Sequence, residues 1–339
     1  MKLVRMSALA LLAGLLAAGY LVYILDAPYG AFGKETFVDV PRGASATQIA
    51  QELQRAGVIP NEWSFRLARF VYRGRKLQAG EYRFTEPAPP IDVYERIARG
   101  DVYTIEFAVP EGKNIFDIGA LAEHAGLFPA AKFVAAARDA SSIRDLDPNA
   151  PTLEGYLFPS TYRLNRHTTP ERLCHIMTAR FREAWHKLGA DGDVHRVMTL
   201  ASLVEKEGKL PEDRPKIAQV FEKRLEIGMK LDCDPTTIYA ALLEERYRGV
   251  IHKSDLESTS PYNTYQHRGL PPGPIANPGL ASIEAVLHPA ETAYLFFVKR
   301  PDGSGGHTFT ENMTDHAAAT AKYRSAEKTT AKPSRKPRS

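Results

Sequence analysis

The sequence predicts an α+β protein: a single N-terminal transmembrane helix, a small α+β subdomain and a larger α+β domain. Three observations carry this. An uncharged apolar run, SALALLAGLLAAGYLVYIL, fills Ser7–Leu25. A strand–turn–helix unit occurs twice beyond it. After the second copy, helical stretches alternate with turn signals until a strand-like segment, AYLFFVKR, at 293–300.

The apolar run is nineteen residues long, close to the ~20 that cross a bilayer as a helix. Lys2 and Arg5 precede it and Asp26 is the first charge after it. The positive-inside rule then puts residues 1–6 in the cytoplasm and everything beyond residue 26 outside. Two readings compete, an uncleaved anchor over 7–25 and a cleaved signal peptide. The anchor is favoured, because the apolar stretch continues through Tyr20–Leu25 with no A-x-A site directly after it.

The repeat follows. VPRGASATQIAQELQRAGVI (40–59) and VPEGKNIFDIGALAEHAGLF (109–128) align without gaps and share six of twenty residues. Each copy follows an alternating strand-like stretch, TFVDV or TIEFAV. Each continues into a turn, an amphipathic helix and a glycine near the helix end. Between the copies lie a helix over Glu62–Arg73, a strand in LQAGEYRF and, after the Pro-rich EPAPP, a short helix over Ile91–Arg99. A small α+β subdomain therefore spans 36–107. The larger domain spans 108–324, with helices expected at 130–139, 170–188, 194–207 and 213–227.

The chain's 339 residues are 44% hydrophobic and 25% charged, enough to bury a substantial core. The net charge of +4 is concentrated in residues 325–339, where Lys328, Lys332, Arg335, Lys336 and Arg338 face only Glu327. The folded part is close to neutral and offers no basic stripe, which argues against nucleic acid as a partner. The tail reads as disordered and solvated, with loose contact to anionic envelope polymers. Cys174 and Cys233 are the only cysteines; two do not make a disulfide framework, and both read as structural and unpaired.

The helix at 194–207 carries the sharpest chemical signal. On a helical wheel Glu205 falls within about 20° of Val194 and inside the stripe formed by Val197, Met198, Ala201 and Val204. Glu207 falls at about 220°, outside it. Burial disfavours the charged form of a carboxyl group, and the negative end of the helix dipole acts in the same sense. Such a position suits a group that keeps its proton and gives it as a general acid. The pattern equally allows a glutamate paired with a nearby Arg or Lys, or one reaching solvent where the helix frays at Gly208.

SPYNTYQHRGLPPGPIANPG (260–279) is the second candidate. Its prolines and glycines make a stiff loop with little entropy to lose on binding. Tyr262, Asn263 and Tyr265 at its start suit an N-acetylated sugar, with rings against the sugar face and amide to amide. A turn-rich crossover whose tyrosines cover the core is the competing reading. LEGYLFPSTYRL (153–164), with Glu154 before Gly155, and LDCDPTTIYAAL (231–242), with a helix cap at Asp234-Pro235-Thr236, both have ordinary structural explanations. Asp232 and Asp234 lack the clustered partners a metal needs, so no metal site is expected. His288 and His307 read as structural. Neither G-x-S-x-G nor a phosphate-binding glycine loop occurs.

TLASLVEKEG, FEKRLEIGMKLDCDPTTIYA, SPYNTYQHRGLPPGPIANPG, AVLHPAETAYLFFV and GGHTFTENMTDH together resemble the endolytic murein transglycosylase (MltG, YceG-like) family. VPEG and LEGYLFPSTYRL extend the resemblance toward the N-terminus. It implies a protein anchored in the inner membrane, with a LysM-like subdomain and a catalytic domain on the periplasmic side, that cuts nascent peptidoglycan within the glycan chain. The family's catalytic glutamate maps onto Glu205; Gly208 departs from the Thr or Ser common after that motif. Tyr262, Asn263 and Tyr265 are then the sugar-binding candidates, with Glu154 and Thr237 beside them. The resemblance implies no cofactor. It implies glycan strands as substrate and cell-wall synthesis proteins such as penicillin-binding proteins as partners. A non-catalytic scaffold that binds peptidoglycan for a synthase is the alternative, and a water-using muramidase is a further one.

Overall fold

The computed structural model describes residues 2–72, 74–190 and 192–330. The end of the basic tail, 331–339, and Arg73, the expected end of the helix from Glu62, lie outside the described residues. The chain divides into two compact units, 1–105 with 163–166, and 106–162 with 167–339.

In the first unit, α1 (Lys2–Asp26) is the one described helix long and apolar enough to cross a membrane. Then come β1 (Thr36–Val40), α2 (Ala46–Arg55), α3 (Glu62–Val71), β2 (Gly80–Phe84) and α4 (Pro90–Arg99). β1 and β2 pair antiparallel from Thr36↔Phe84 to Val40↔Gly80. Alternation puts Val38, Val40, Tyr82 and Phe84 inside, against Ile49 and Leu53 of α2, Phe65 and Ala68 of α3, and Tyr94 and Ile97 of α4. Leu25, at the end of α1, joins the same core. Arg166 bonds Glu81 at 2.6 Å and lies over the Phe37 ring.

The second unit contains β3 (Ile105–Val109) from Glu106 on, α5 (Ile115–His124), α6 (Ala130–Ala137), β4 (Ser160–Leu164) as far as Tyr162, α7 (Pro170–Leu188), α8 (Val194–Glu207) and α9 (Arg214–Glu226). It continues through α10 (Asp234–Leu243), α11 (Lys253–Leu256), α12 (Leu280–Leu287), β5 (Phe296–Lys299), β6 (His307–Thr310) and α13 (Met313–Thr330). β3 pairs with β4, and β5 with β6. α8 is almost wholly enclosed, with every residue from Met198 to Val204 buried. α12 packs on both α8 and α9.

The repeat is structural as well as textual. β1–α2 and β3–α5 fall at matching positions in the two copies, and each helix opens with a capping box. Ser45 and Gln48 form it in α2, Asn114 and Asp117 in α5. Two expectations are corrected at the C-terminus. The strand expected over 293–300 is confined to Phe296–Lys299 and turns back as β6. α13 continues past Arg324 to Thr330, so residues 325–330 are helical rather than disordered. Asn312 accepts from the Asp315 N–H at the helix start, and Tyr323 donates to Glu327 one turn later. Cys174 and Cys233 are free and buried.

Candidate active site

α8 begins at Asp193, whose side chain accepts from the Arg196 N–H, and brings Glu205 to its last turn. The Glu205 side chain is only 7% exposed, but its carboxylate does not end in hydrocarbon. Oε2 accepts from the Gly279 N–H at 3.0 Å and from the Ser282 hydroxyl at 2.7 Å. Oε1 faces Arg214 Nη2 at 3.5 Å. Gly279 and Ser282 form the first turn of α12, where unsatisfied N–H groups present partial positive charge. Of the two arrangements the pattern allows, the structure shows the glutamate beside an arginine: the stripe exists, and the group turns from it to cap α12 and face Arg214.

Arg214 is fixed from three sides. Its Nε donates to Gly208 O at 3.1 Å. A Cβ on Gly208 would stand 2.8 Å from the Arg214 chain and 3.0 Å from Val204 O, so glycine here lets the arginine cross the end of α8. Asp213, directly before it, accepts from the His307 backbone N–H at 2.7 Å and lies 3.1 Å from His307 Nδ1. His307 thereby braces Asp213, and burial holds its imidazole below the usual range.

The V-P-E-G turn of the second repeat reaches the same place. The Gly112 N–H donates to Asn277 O and the Asn277 N–H to Lys113 O, each at 2.9 Å. Gly112 adopts a left-handed φ of 72°, and a Cβ there would stand 3.4 Å from Glu205 Cγ. Glu111 crosses Gly279 so closely that a Cβ would overlap its carboxylate. It lies 3.9 Å from the same Arg214 Nη2 that faces Glu205. Two carboxylates thus share one guanidinium.

Glu154 is fully buried and supports this corner from behind. It accepts from the Ile115 N–H at the start of α5 at 2.9 Å and from Asn277 Nδ2 at 2.7 Å. Burial pushes its carboxyl up to about 8, so it is mostly protonated at neutral pH. Asn277 is the hub, since its Oδ1 also accepts from the Leu157 N–H at 2.8 Å.

The aromatic end of the loop is arranged differently from expectation. Asn263 is wholly buried. Its Nδ2 donates to the carbonyls of Asp255, Leu256 and Ser258, and its Oδ1 accepts from the Tyr265 N–H and the Thr237 hydroxyl. The amide expected to meet a sugar is already engaged in holding its own loop, and Thr237 is buried behind it. Tyr262 is half-buried, its ring 5.1 Å from that of Tyr239, and burial pushes its phenol up to about 12. Tyr265 donates to Asp234 at 2.7 Å. Glu207, outside the stripe by the wheel, is half-buried, and its loss of hydration raises its carboxyl; it accepts from Cys233 Sγ at 3.4 Å.

The structure therefore joins Glu205 and Glu154 through one loop, 277–279, and sets Tyr262 and Tyr265 at the loop's other end. Glu111, Arg214, Gly279 and Ser282 escaped the sequence reading. Glu111 had a signal in its place in the repeated V-P-x-G turn, and Gly279 in closing the Pro–Gly loop; Arg214 and Ser282 had none.

The chain is 33% identical over 308 residues to a protein named endolytic murein transglycosylase from Bacillus subtilis (strain 168), covering 84% of each chain. A protein of the same name from Streptococcus pneumoniae (strain D39) is 29% identical over 94% of this chain, which spans 64% of that longer relative. A crystal structure of a YceG-like protein from Listeria monocytogenes matches with a TM-score of 0.53 and 29% identity, over 84% of this chain and 98% of that one. The model of the YceG-like family matches residues 38–322, so the chain belongs to the YceG-like family.

Proposed function

We propose that this protein is a membrane-anchored endolytic lytic transglycosylase, a carbon–oxygen lyase that cuts the MurNAc–GlcNAc bond inside nascent glycan strands. The observation that carries the reading is the Glu205 carboxylate. Two donors occupy Oε2, while Oε1 has no hydrogen bond among the described residues and only a 3.5 Å approach to Arg214. A proton given and taken by Glu205 would therefore sit on Oε1. The related proteins named endolytic murein transglycosylase supply the substrate class.

In the proposed reaction Glu205 protonates the glycosidic oxygen as the bond to the muramoyl anomeric carbon breaks. The substrate's own N-acetyl group assists at that carbon, so the carboxylate pair of ordinary retaining hydrolases is not needed. Glu205, now ionised, takes the proton of the muramoyl 6-hydroxyl. That oxygen closes onto the anomeric carbon and leaves a 1,6-anhydromuramoyl end. No water is consumed and the acid is regenerated. Arg214, Ser282 and Gly279 hold the carboxylate in place. Tyr262 and Tyr265 are the candidates to meet the sugar; Asn263, Thr237 and Glu154 act behind them by fixing the loop.

The strand–helix–helix–strand order of residues 36–84 supports a LysM-like subdomain within 36–107, ahead of a catalytic domain over 108–324. With α1 as a single-pass inner-membrane anchor, the catalytic domain lies on the periplasmic side, close to where synthases such as penicillin-binding proteins extrude new strands. The test is mass spectrometry of purified glycan strands treated with the detergent-solubilised chain. Anhydromuramoyl ends are expected. Reducing ends would make it a muramidase, and intact strands would favour the non-catalytic scaffold.

A further inference from the structure

The first unit exposes a helix face that neither its own core nor the proposed reaction uses. On α3, Ser64, Phe65 and Ala68 point inward and are buried. The opposite face presents Trp63, 70% exposed, and Phe70, 83% exposed, two turns apart. Arg66 lies between the two rings, its guanidinium 4.5 Å from the centre of the Trp63 ring. Neither Arg66 nor Arg69 has a carboxylate partner among the described residues. Both line, with Ala46, Thr47, Phe70 and Val71, an open hollow of about 740 Å³. Two large aromatic side chains left in water beside unpaired arginines mark an interaction surface.

Its position relative to α1 identifies the occupant. α1 packs on α3 and α4. Of the described side chains from Met6 to Asp26, only Ile24 and Leu25 are covered, and Leu25 enters the same core as Phe65. α3 is therefore held at the level where the apolar run ends, which for a spanning helix is the headgroup layer. Tryptophan with flanking arginine is the chemistry of that layer, because an amphipathic ring and a long cationic chain each satisfy an apolar and a polar side at once. A glycan would also accept an exposed ring, but it needs neither two unpaired cations nor a fixed height beside the anchor.

We propose that the Trp63–Arg66–Arg69–Phe70 face of α3 rests in the bilayer surface, with the two arginines on the phosphates of anionic lipids. The surface rests on the reading of α1 as an anchor. It adds a second point of attachment, through α3, to the one that α1 provides. The first unit is thereby fixed at one height and orientation above the membrane.

Trp63 and Trp185 are the only tryptophans, so the full chain carrying Trp185→Phe reports Trp63 alone. A Trp63→Phe chain provides the same signal by difference should that variant fold poorly. The protein is reconstituted into phosphatidylcholine vesicles with and without phosphatidylglycerol, washed with alkaline carbonate and floated. Expected are retention on the vesicles, blue-shifted Trp63 emission, quenching by lipids brominated near the headgroup, and shielding from aqueous iodide, all strongest with phosphatidylglycerol. Arg66→Glu and Arg69→Glu should each move the docked fraction toward solvent by at least about fivefold, the equivalent of the ~1 kcal/mol a basic residue gains near an anionic surface. Retention on vesicles with Trp63 open to iodide and untouched by bromolipid would overturn the surface and leave the anchor standing. Release by carbonate would overturn both. Shielding of Trp63 by soluble glycan fragments, with no response to lipid, would reassign the face to sugar.

Discussion

Glu205 and Ser282 are joined by a 2.7 Å hydrogen bond between residues 77 positions apart, so the carboxylate that ends α8 is also the cap of α12. The candidate acid and the first turn of a neighbouring helix are a single structural feature. Disturbing either should be felt at both.

The Glu205–Arg214 pair should show that coupling in stability. Both side chains are largely enclosed, 7% and 13% exposed. Removing one partner of a buried pair leaves the other charge uncompensated, at a cost of about 3–5 kcal/mol. Arg214→Met should lie at or below the lower end of that range, because Ser282 and Gly279 still hold Oε2. Arg214→Met with Glu205→Gln should recover at least about 1 kcal/mol of the loss. Chemical denaturation of the four proteins of this cycle measures it; strict additivity would mean that the arginine acts on Glu111 or on Gly208 alone.

Glu154 predicts a pH dependence. Burial raises its carboxyl from 4.5 to about 8, so between those values the folded chain holds a proton that the unfolded chain has released. Stability from this group is complete below pH 4.5, falls as pH rises, and is lost by about pH 8, a loss on the order of a few kcal/mol. Glu154→Gln cannot titrate and loses one accepted hydrogen bond. Its melting temperature should start below wild type at about pH 5, and the gap should narrow or reverse by about pH 8.5. Parallel pH profiles for the two proteins would contradict the assignment.

Asn263 separates a sugar ligand from a loop brace. Its amide makes all its hydrogen bonds inside the protein, and leaving those partners unmet costs about 1–3 kcal/mol or more. Asn263→Ala should lower the melting temperature and kcat together. A raised KM with unchanged melting temperature would instead assign the amide to the substrate.

What the sequence disclosed and what it withheld divide along chain distance. The paired capping boxes of α2 and α5 use residues three apart, and the apolar face that delivers Glu205 is a property of one helix, so both can be read from local spacing. Arg214 approaches Glu205 only because Gly208 leaves room and His307 holds Asp213 from 94 residues away. Ser282 acts from α12, an eight-residue helix hidden behind a Pro–Gly loop. Glu111 arrives with a turn whose repeat was visible but whose destination was not. In sequence a polar side chain in a stiff loop looks the same whether it meets a ligand or braces the loop; the contacts that let Asn263 stiffen its own loop reach back as far as Thr237.

The most direct measurement is the rate at which the intact chain and its Glu205→Gln variant release anhydromuramoyl ends from purified glycan strands, with melting temperatures taken alongside. The substituted amide keeps a carbonyl oxygen for Gly279 and Ser282 but cannot serve as the acid or the base. A fall of at least about 100-fold is expected, the low end of what a general acid–base group contributes, with the fold still intact. A variant that cuts at near wild-type rate would contradict it and leave Glu205 as a cap of α12 alone.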